Sequence, residues 1–455
     1  MARPPSLRKV NDEGPDDGVP RPVWPWPVSN RGISTIACGV AVLGVASIAA
    51  IWLIANDVNG KDRASFQIDA IKYSLGFIAA GGAAVALLLN IRRQLVTEFA
   101  HDLEIRKQRH VETDAAERRV TEIYTKAVEQ LGHADAAVRL GGFYALERVA
   151  QDNVGQRQTV VNVICAYLRM PFERGTAEVS SAAESPGSPV VADDPEKARR
   201  QDQELQVRMT AQSILTQHLR RPHGIGADSP DAVAPGFHEP FWPAIDVDLK
   251  GAALFSIDFR RCNFRTAQFH RAKFFGAVGF GEARFTDVAQ FGSVTFQGSA
   301  YFSGAVFTDD AFFGNSRFQS AAVFGGTRFL AGALFGATVV SGDALFRSAE
   351  FLSHAWFAKA TFSDLALFSE SLFSDAAYFD RSEFRGAAIF GGTRFMGEIT
   401  LNDATFHGDV RFDNATVTTV NLSGCRVATR DDRDDVWPAA WTLTPADEYG
   451  VLALA

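Results

Sequence analysis

FGEARFTDVAQFGSVTFQGSAYF, residues 280–302, repeats phenylalanine in alternating steps of five and six residues. These phenylalanines stand at 280, 285, 291, 296 and 302, and such regularly spaced positions are here called the beat of the repeat. A period of five or eleven fits neither the 3.6-residue turn of a helix nor the two-residue alternation of a strand. Self-similarity at a fixed period instead indicates a solenoid, in which each repeat packs on its neighbours.

The same beat extends in both directions and defines an array from about Val247 to Val427. A small residue stands two positions before most beat positions, as at Ala289 and Ser316, and Cys262 and Cys425 occupy the same place. The phenylalanines predicted to form a buried core ladder are Phe264, Phe269, Phe285, Phe291, Phe296, Phe302, Phe307, Phe313, Phe318, Phe324, Phe329, Phe335, Phe346, Phe351, Phe357, Phe362, Phe368, Phe373, Phe379, Phe384, Phe390 and Phe395.

The pattern small-x-Phe-x-x resembles the pentapeptide repeat family, here in an eleven-residue doublet variant with one extra residue in every second unit. The resemblance implies a right-handed, quadrilateral parallel β-helix in which each unit forms one side and the Phe and the small residue point inward. Four units then give a coil of about 22 residues, with the surplus residue expected as a bulge at a corner. About 35 units predict roughly nine coils, stacked about 4.8 Å apart.

Two nearly identical stretches, AAVFGGTRF at 321–329 and AAIFGGTRF at 387–395, raise the question of a nucleotide-binding loop. Both stand on the beat of the array, so their glycine pairs are predicted to lie at corners, where glycine tolerates positive φ. Arg328 and Arg394 are predicted to point outward. The repeated glycines are therefore interpreted as architecture.

The segment before the array differs in composition. Residues 1–31 form a Pro-rich tail that is predicted to be disordered. Two apolar runs, Gly32–Ala55 and Ser74–Ile91, flank a polar stretch predicted as a loop, Asn56–Lys72, and residues 32–91 are predicted to form a transmembrane hairpin. Small residues at spacing four, Ala46 with Ala50 and Gly82 with Ala86, suit close packing of the two helices or pairing with another copy, although they can also reflect mere abundance.

Basic residues precede the first apolar run and follow the second, as at Arg31, Arg92 and Arg93, whereas the cations between the runs are offset by acids. Loops rich in Lys and Arg stay cytoplasmic. The sequence therefore predicts a multi-pass protein of the bacterial inner membrane with both termini in the cytoplasm.

Helical periodicity predicts an adaptor over residues 92–173. Within it AVRLGGFYALERVAQDN, residues 137–153, resembles the HEAT-like segment that often precedes pentapeptide repeats in bacterial membrane-associated proteins. A flexible linker is predicted at 174–200 and a further adaptor helix at 201–222, before the β-helix at 247–427. Residues 428–455 are predicted to cap the last coil through Trp437 and Trp441.

Residues with catalytic potential are sparse in this sequence. Nine histidines are scattered without metal-ligand spacing, and four distant cysteines suit neither a disulfide framework nor a zinc site, so they are interpreted as reduced, buried, small residues. The histidines inside the array, His270, His354 and His407, fall at outward positions. Asp309 with Asp310, and Asp403 with Asp409, come nearest to carboxylate pairs. No catalytic, cofactor-binding or metal residue is predicted, and no cofactor.

The favoured interpretation is a membrane-anchored, non-catalytic scaffold whose cytoplasmic β-helix binds an unidentified protein partner. An oligomeric membrane pore or sensor is an alternative, and a homo-oligomer suits either. A gyrase-binding DNA mimic, a function of some pentapeptide proteins, would need a dense acidic surface. Between residues 247 and 427 there are 17 acidic and 16 basic residues, a net of −1, and the whole chain carries −8, so no nucleic-acid partner is predicted. An enzyme would need the C-terminal tail to form a pocket.

Overall fold

A computed structural model describes residues 29–57, 63–172, 195–222, 240–446 and 448–454. The chain divides into two compact units, Met1–Arg119 and Val120–Ala455. The N-terminal tail up to residue 28 and most of the predicted linker, residues 173–194, lie outside the described residues.

The first unit contains helix α1, Asn30–Asp57, and most of helix α2, Arg63–Leu131. Two segments, Arg31–Ile54 and Ile71–Glu98, are long and apolar enough to cross a membrane. The stretch predicted as a polar loop is helical from Arg63 onward, because residues 63–72 contain neither Gly nor Pro and polarity alone does not end a helix. Helix α2 also continues without a break past residue 91, the predicted end of the hairpin.

Helices α1 and α2 approach each other at small residues, but not at the predicted ones. A Cβ atom added to Gly81 would lie 2.2 Å from Cγ1 of Val40, and one added to Gly44 would lie 3.5 Å from Cγ1 of Ile78. Gly82, by contrast, has no such neighbour within 4 Å. The four residues predicted to form this contact, Ala46, Ala50, Gly82 and Ala86, are all exposed. The prediction that they pack α1 against α2 is therefore wrong.

The second unit begins with the end of α2, followed by helix α3, Ala136–Asp152, a short 3-10 turn, Val154–Gln156, and helix α4, Arg157–Arg169. The backbone N–H of Ala137 donates to the Asp135 carboxylate at 2.8 Å, which caps α3. Helix α5, Pro195–Leu219, begins inside the predicted linker, because its first residue is a proline, which suits the first helical position. The three helices share a fully buried apolar core.

The rest of the second unit is a parallel β-solenoid of about eight turns with four faces. The first face contains Val247–Asp248, Ala267–Gln268, Ala289–Gln290, Ala311–Phe312, Ala333–Leu334, Ala355–Trp356 and Ala377–Tyr378. The second face contains Ala253–Phe255, Lys273–Phe275, Thr295–Phe296, Arg317–Phe318, Val339–Val340, Thr361–Phe362, Glu383–Phe384, Thr405–Phe406 and Arg426–Ala428.

The remaining two faces complete each turn. The third face contains Val278–Gly279, Ala300–Tyr301, Ala322–Val323, Ala344–Leu345, Ala366–Leu367, Ala388–Ile389 and Val410–Arg411. The fourth face contains Asn263–Phe264, Arg284–Phe285, Val306–Phe307, Arg328–Phe329, Glu350–Phe351 and Leu372–Phe373. Two longer strands, Arg394–Thr400 and Thr416–Asn421, bend round the corner and join the fourth face to the first.

Register fixes the coil length. Ala289 pairs with Ala311, and Arg284 pairs with Val306, so each turn in the middle of the solenoid takes 22 residues. The first turn is shorter, since Val247 pairs with Ala267, 20 residues on. The predicted nine coils exceed the observed number because the last units only begin a ninth turn.

Corners of two kinds alternate along the chain. At one kind, the N–H of Thr327 donates to the carbonyl of Phe324 at 3.1 Å and Gly326 has a φ of +62°, the signature of a type II turn. Asn315 and Glu370 take the same conformation in other coils, so glycine is favoured there but not required. The extra residue of each doublet lies in the other kind of corner, between Phe307 and Ala311 for example, so the surplus is absorbed at a corner as the sequence predicts.

Phenylalanine rings fill the interior of the solenoid. Each of the 22 predicted ladder residues exposes no more than 2% of its surface. Rings in successive coils stack face to face, as for Phe313 and Phe335, whose centroids lie 4.7 Å apart with parallel planes. Ladders on the first and third faces also meet edge to face, as for Phe313 and Phe324 at 5.4 Å. Where Ser or Thr replaces the small residue, its hydroxyl finds a backbone acceptor: Oγ1 of Thr327 donates to the carbonyl of Phe302 at 2.8 Å.

Helices α4 and α5 close the N-terminal end of the solenoid with two glutamines. The Gln212 carboxamide donates to the carbonyl of Phe255 and accepts from its N–H, both at 2.9 Å. The Gln158 carboxamide makes the same pair of bonds to Asp246, again at 2.9 Å. Each side chain thus replaces the peptide group that a preceding coil would supply, and the edge of the sheet is satisfied.

Replacing Gln212 with Leu is expected to destabilise the protein by about 2 to 4 kcal/mol, because two buried backbone groups of Phe255 lose their partners. Gln206, nearly two turns earlier on α5, is exposed, and Gln206→Leu is expected to have little effect. Urea titration of the two purified variants measures the difference. Equal stabilities would contradict the capping role of Gln212.

The C-terminal segment closes the opposite end. Strands Trp441–Thr444 and Tyr449–Leu454 form an antiparallel hairpin, and the second of them pairs with Arg426–Ala428, the last strand of the second face. The Trp441 ring meets Phe412 at 5.0 Å, and the Trp437 ring lies 6.0 Å from it. The last phenylalanine of the third-face ladder is therefore covered by indole rings.

Candidate interaction surface

The three cysteines of the second unit are buried and unreactive. Burial raises the pKa of the Cys165, Cys262 and Cys425 thiols to about 12 in each case, which removes the thiolate that a nucleophile or metal ligand needs. Cys262 and Cys425 occupy the small inward position of the repeat and are fully buried. Cys38 differs from the prediction of a buried residue, since it is exposed on α1.

Two histidines of the array lie on its surface beside carboxylates of the neighbouring coil. Nδ1 of His354 lies 3.2 Å from Oδ2 of Asp375, and Nε2 of His407 lies 3.3 Å from Oε1 of Glu383. A hydrogen bond from Arg385 lowers the pKa of Glu383, so this carboxylate is a poor proton donor at neutral pH. His270 is half-buried at the corner after the first face.

One carboxylate of each candidate pair, Asp310 and Asp403, has a partner on a neighbouring coil. Oδ1 of Asp310 accepts the N–H of Gly332 in the next coil at 2.8 Å, and Asp403 lies 3.7 Å from Arg381. No group of three or more His, Cys, Asp or Glu side chains with a metal-binding arrangement occurs in the described part of the chain. The contacts of these histidines and carboxylates join neighbouring coils, which accounts for them by a structural role at the corners and on the outer surface.

Apolar side chains on the outside of the solenoid form two columns. The first, here called the aromatic column, lies on the first face and consists of Phe312, Leu334, Trp356 and Tyr378. These four residues are in direct register on consecutive coils. Trp356 exposes 45% of its surface and meets the Tyr378 ring edge to face at 5.2 Å.

The second, here called the aliphatic column, lies on the third face. Its members are Tyr301, Val323, Leu345, Leu367 and Ile389, again in direct register on consecutive coils. Tyr301 exposes 45% of its surface at one end, and Arg411 follows Ile389 at the other. Both columns project from faces whose inward partners are Ala and Phe, so they contribute to the outer surface and not to the core.

The second and fourth faces are more polar and carry ion pairs between coils. Nε of Arg328 lies 2.8 Å from Oε2 of Glu350, its register partner on the next coil. Outward residues at the equivalent place on the second face are Thr295, Arg317, Thr361 and Glu383, with Val339 as the apolar exception. Solvated, paired side chains of this kind keep a surface soluble but add little binding energy. Contiguous apolar patches thus fall on the first and third faces.

The sequence itself contains a signal for the two columns. Each column occupies the residue between the small position and the beat phenylalanine in alternate units, as in AFF at 311–313 and AWF at 355–357. The beat itself assigns that residue to the outside, so an apolar side chain there predicts an exposed patch.

The fold is thus a four-faced parallel β-solenoid packed with stacked Phe. Residues 280–328 and 368–416 match the family model described as pentapeptide repeats (9 copies). Searches of curated proteins and of solved structures gave no match.

Proposed function

We propose that this protein is a non-catalytic scaffold whose solenoid binds another protein through the aromatic column. The observation that carries the proposal is the run of Phe312, Leu334, Trp356 and Tyr378 on consecutive coils of one flat face. Tryptophan and tyrosine dominate the binding energy of protein interfaces, whereas Trp is costly to leave in water without a role.

The rigid interior supports this assignment. Ladders of Phe and continuous strand register hold the outward side chains about 4.8 Å apart from coil to coil. A partner would therefore meet a preorganised surface and lose little of its binding energy to ordering of the scaffold. A filled solenoid also offers no dry pocket of the kind that acid and base catalysis needs.

Helices α1 and α2 are proposed to anchor the scaffold in the bacterial inner membrane, with both termini in the cytoplasm. Their two apolar segments support the anchor, and the basic residues on their flanks support the orientation. The alternative of a pore or sensor gains little from the space between the helices, a cavity of about 330 Å³ whose lining includes Val40, Leu43 and Phe77 and is mainly apolar. The gyrase-binding alternative is weakened by the near balance of charges on the repeats.

Replacing Trp356 with Glu tests the scaffold directly. The charge is expected to reduce recovery of the specific partner from native membranes at least tenfold, since an unpaired carboxylate would be buried at the centre of the contact. Tagged full-length protein is isolated in mild detergent, and the co-isolated proteins are quantified by mass spectrometry.

Thr361→Glu provides the matched control. Thr361 also points outward, but it lies on the second face, in the strand that directly follows that of Trp356 along the chain. Its co-isolated proteins are expected to equal those of the unmodified chain. A protein set that survives Trp356→Glu unchanged would show that the aromatic column is not the docking surface.

A further inference from the structure

The aliphatic column is the middle of a longer series of outward residues on the third face. Tyr301 pairs with Gly279 on the preceding coil, and Gly279 pairs with Asp258 on the coil before that. At the other end of the column, Ile389 pairs with Arg411. The full series is Asp258, Gly279, Tyr301, Val323, Leu345, Leu367, Ile389 and Arg411. Each of these eight residues directly precedes a position of the beat.

The middle of this series forms an apolar strip at the surface. Tyr301 is exposed, and the other four members of the aliphatic column are half-buried. Successive coils lie about 4.8 Å apart, so the five side chains extend over about 20 Å. Contiguous apolar surface of this kind indicates a protein contact.

A hollow of about 780 Å³ lies at the Gly279 end of the series. Gly279 and Tyr301 are both part of its lining. The outward position that holds an apolar side chain on the next five coils carries none at Gly279, because glycine ends at its Cα atom. The series therefore has an empty position near one end and a bulky residue, Ile389, near the other.

The Gly279 end of the series is positively charged. Oδ2 of Asp258 lies 2.9 Å from Nη2 of Arg260 and 3.2 Å from Nη2 of Arg220, so two arginines surround one carboxylate. Arg261 and Glu282 also line the hollow and add one charge of each sign. Three arginines and two acids give the lining of the hollow a net charge of +1.

The Arg411 end of the series is negatively charged. Nε of Arg411 donates to the Asp413 carboxylate at 2.9 Å, and Nη1 of Arg411 donates to the Asp434 carboxylate. One arginine with two carboxylates gives this cluster a net charge of −1. The two ends of one face are thus complementary to each other in charge.

We propose that the aliphatic column binds a second copy of this chain, with the two columns antiparallel and related by a two-fold axis. In a two-fold contact the same patch lies on both sides, so the patch has to be complementary to itself. The centre of the eight-residue series falls between Val323 and Leu345, and an axis there places each of these residues opposite the other. This contact uses the third face and does not depend on the aromatic column, which lies on the opposite face.

The ends of the series determine the direction and the register of the contact. In the antiparallel arrangement, Ile389 of each copy lies over the empty position at Gly279 of the other, and the positive end meets the negative end. A parallel arrangement would bring ends of like charge together. A shift by one coil would place Arg411 in the hollow beside Arg220 and Arg260, where like charges would again meet.

Thiol crosslinking of the full-length protein in its membrane tests the contact. Tyr301→Cys and Leu367→Cys are combined in one chain, because the two positions face each other across the proposed contact. Cys38→Ser removes the exposed native thiol. Packed sheets lie about 10 Å apart, so a short bis-maleimide reagent joins thiols that face each other. A covalent dimer is expected from this chain.

The two single-cysteine chains report the orientation. In the antiparallel contact, identical positions of the two copies are offset by three coils, or about 14 Å along the column. Tyr301→Cys alone and Leu367→Cys alone, each with Cys38→Ser, are therefore expected to give little covalent dimer. A parallel contact would crosslink them efficiently.

Adding Leu345→Asp to the crosslinking chain is expected to reduce the yield of covalent dimer at least about tenfold, since an unpaired carboxylate would be buried beside the axis. Leu334→Asp is the matched control, because Leu334 is a half-buried outward leucine on the first face, and it is expected to keep the yield. Gly279→Leu introduces no charge and fills the hollow, so it is also expected to reduce the yield. Circular dichroism establishes that each variant is folded.

Three results would overturn the proposal: no covalent dimer from the crosslinking chain, equal yields from the single-cysteine chains, or an undiminished yield in folded Leu345→Asp. If Leu345→Asp does not fold, Gly279→Leu decides, since a reduced yield supports the contact and an unchanged yield contradicts it. An adduct with the mass of a different protein would place another occupant on the column and would also overturn the proposal.

Discussion

Replacing Phe313 with Ala is expected to lower the free energy of unfolding by about 3 to 5 kcal/mol, the range for a fully buried aromatic ring. The Phe313 ring stacks on Phe291 at 4.8 Å and on Phe335 at 4.7 Å, and it meets Phe302 and Phe324 edge to face, each at 5.4 Å. Neighbouring rings are held by their own coils, so the cavity cannot collapse. Urea unfolding followed by circular dichroism measures the loss.

The same substitution at the neighbouring residue, Phe312→Ala, is the control for Phe313→Ala. Phe312 is the adjacent residue, but it points outward on the first face and is only half-buried. Its replacement is expected to cost about 1 kcal/mol or less, since surface truncations leave no cavity. Similar losses for the two variants would mean that the assignment of inward and outward positions is wrong.

Deleting Arg430–Ala455 is expected to convert a monodisperse protein into an aggregating one. The deletion removes the hairpin that pairs with Arg426–Ala428, and it uncovers the Phe412 ring beneath Trp437 and Trp441. An exposed parallel-sheet edge beside an aromatic surface is a template for association with other chains. Size-exclusion chromatography in detergent compares the truncated chain with the full one.

The double variant Asp431→Ala, Asp432→Ala separates the cap from a general effect of altering the tail. Both aspartates are exposed, so their removal leaves the hairpin in place and is expected to keep the protein monodisperse. A truncated chain that elutes as a single sharp species would show that residues 430–455 are not needed to close the solenoid.

The architecture of the repeats could be predicted because one residue type marks the beat. A large apolar side chain, in most units a Phe ring, fills the interior at every fifth or sixth position, so Phe324 and Phe390 indicate both the inward direction and the position of the Gly-Gly corners. The backbone conformation of the corners was harder to predict from the sequence. Gly326, Asn315 and Glu370 share one positive-φ conformation although their side chains differ, because the hydrogen bond across the turn sets the backbone and the side chain points to solvent.

The two caps depend on contacts between distant segments, and only part of them could be predicted. Trp437 and Trp441 stand out as aromatic residues beyond the end of the beat, and the expectation that this tail covers the last coil matches their contacts with Phe412. The role of Gln158 and Gln212 depends on which backbone groups the first coil leaves unpaired, and no local pattern contains that information. A glutamine within the apolar side of α5 is a signal only once the packing is known.

Photocrosslinking from position 356 in living cells tests the central claim most directly, namely that the aromatic column is where the scaffold binds its partner. A photoreactive phenylalanine analogue replaces Trp356 in one variant and Thr361 in the other, and the adducts are identified by mass spectrometry. The scaffold account predicts one discrete protein adduct from position 356 and none from position 361. The same adducts from both positions, or none from position 356, would contradict it.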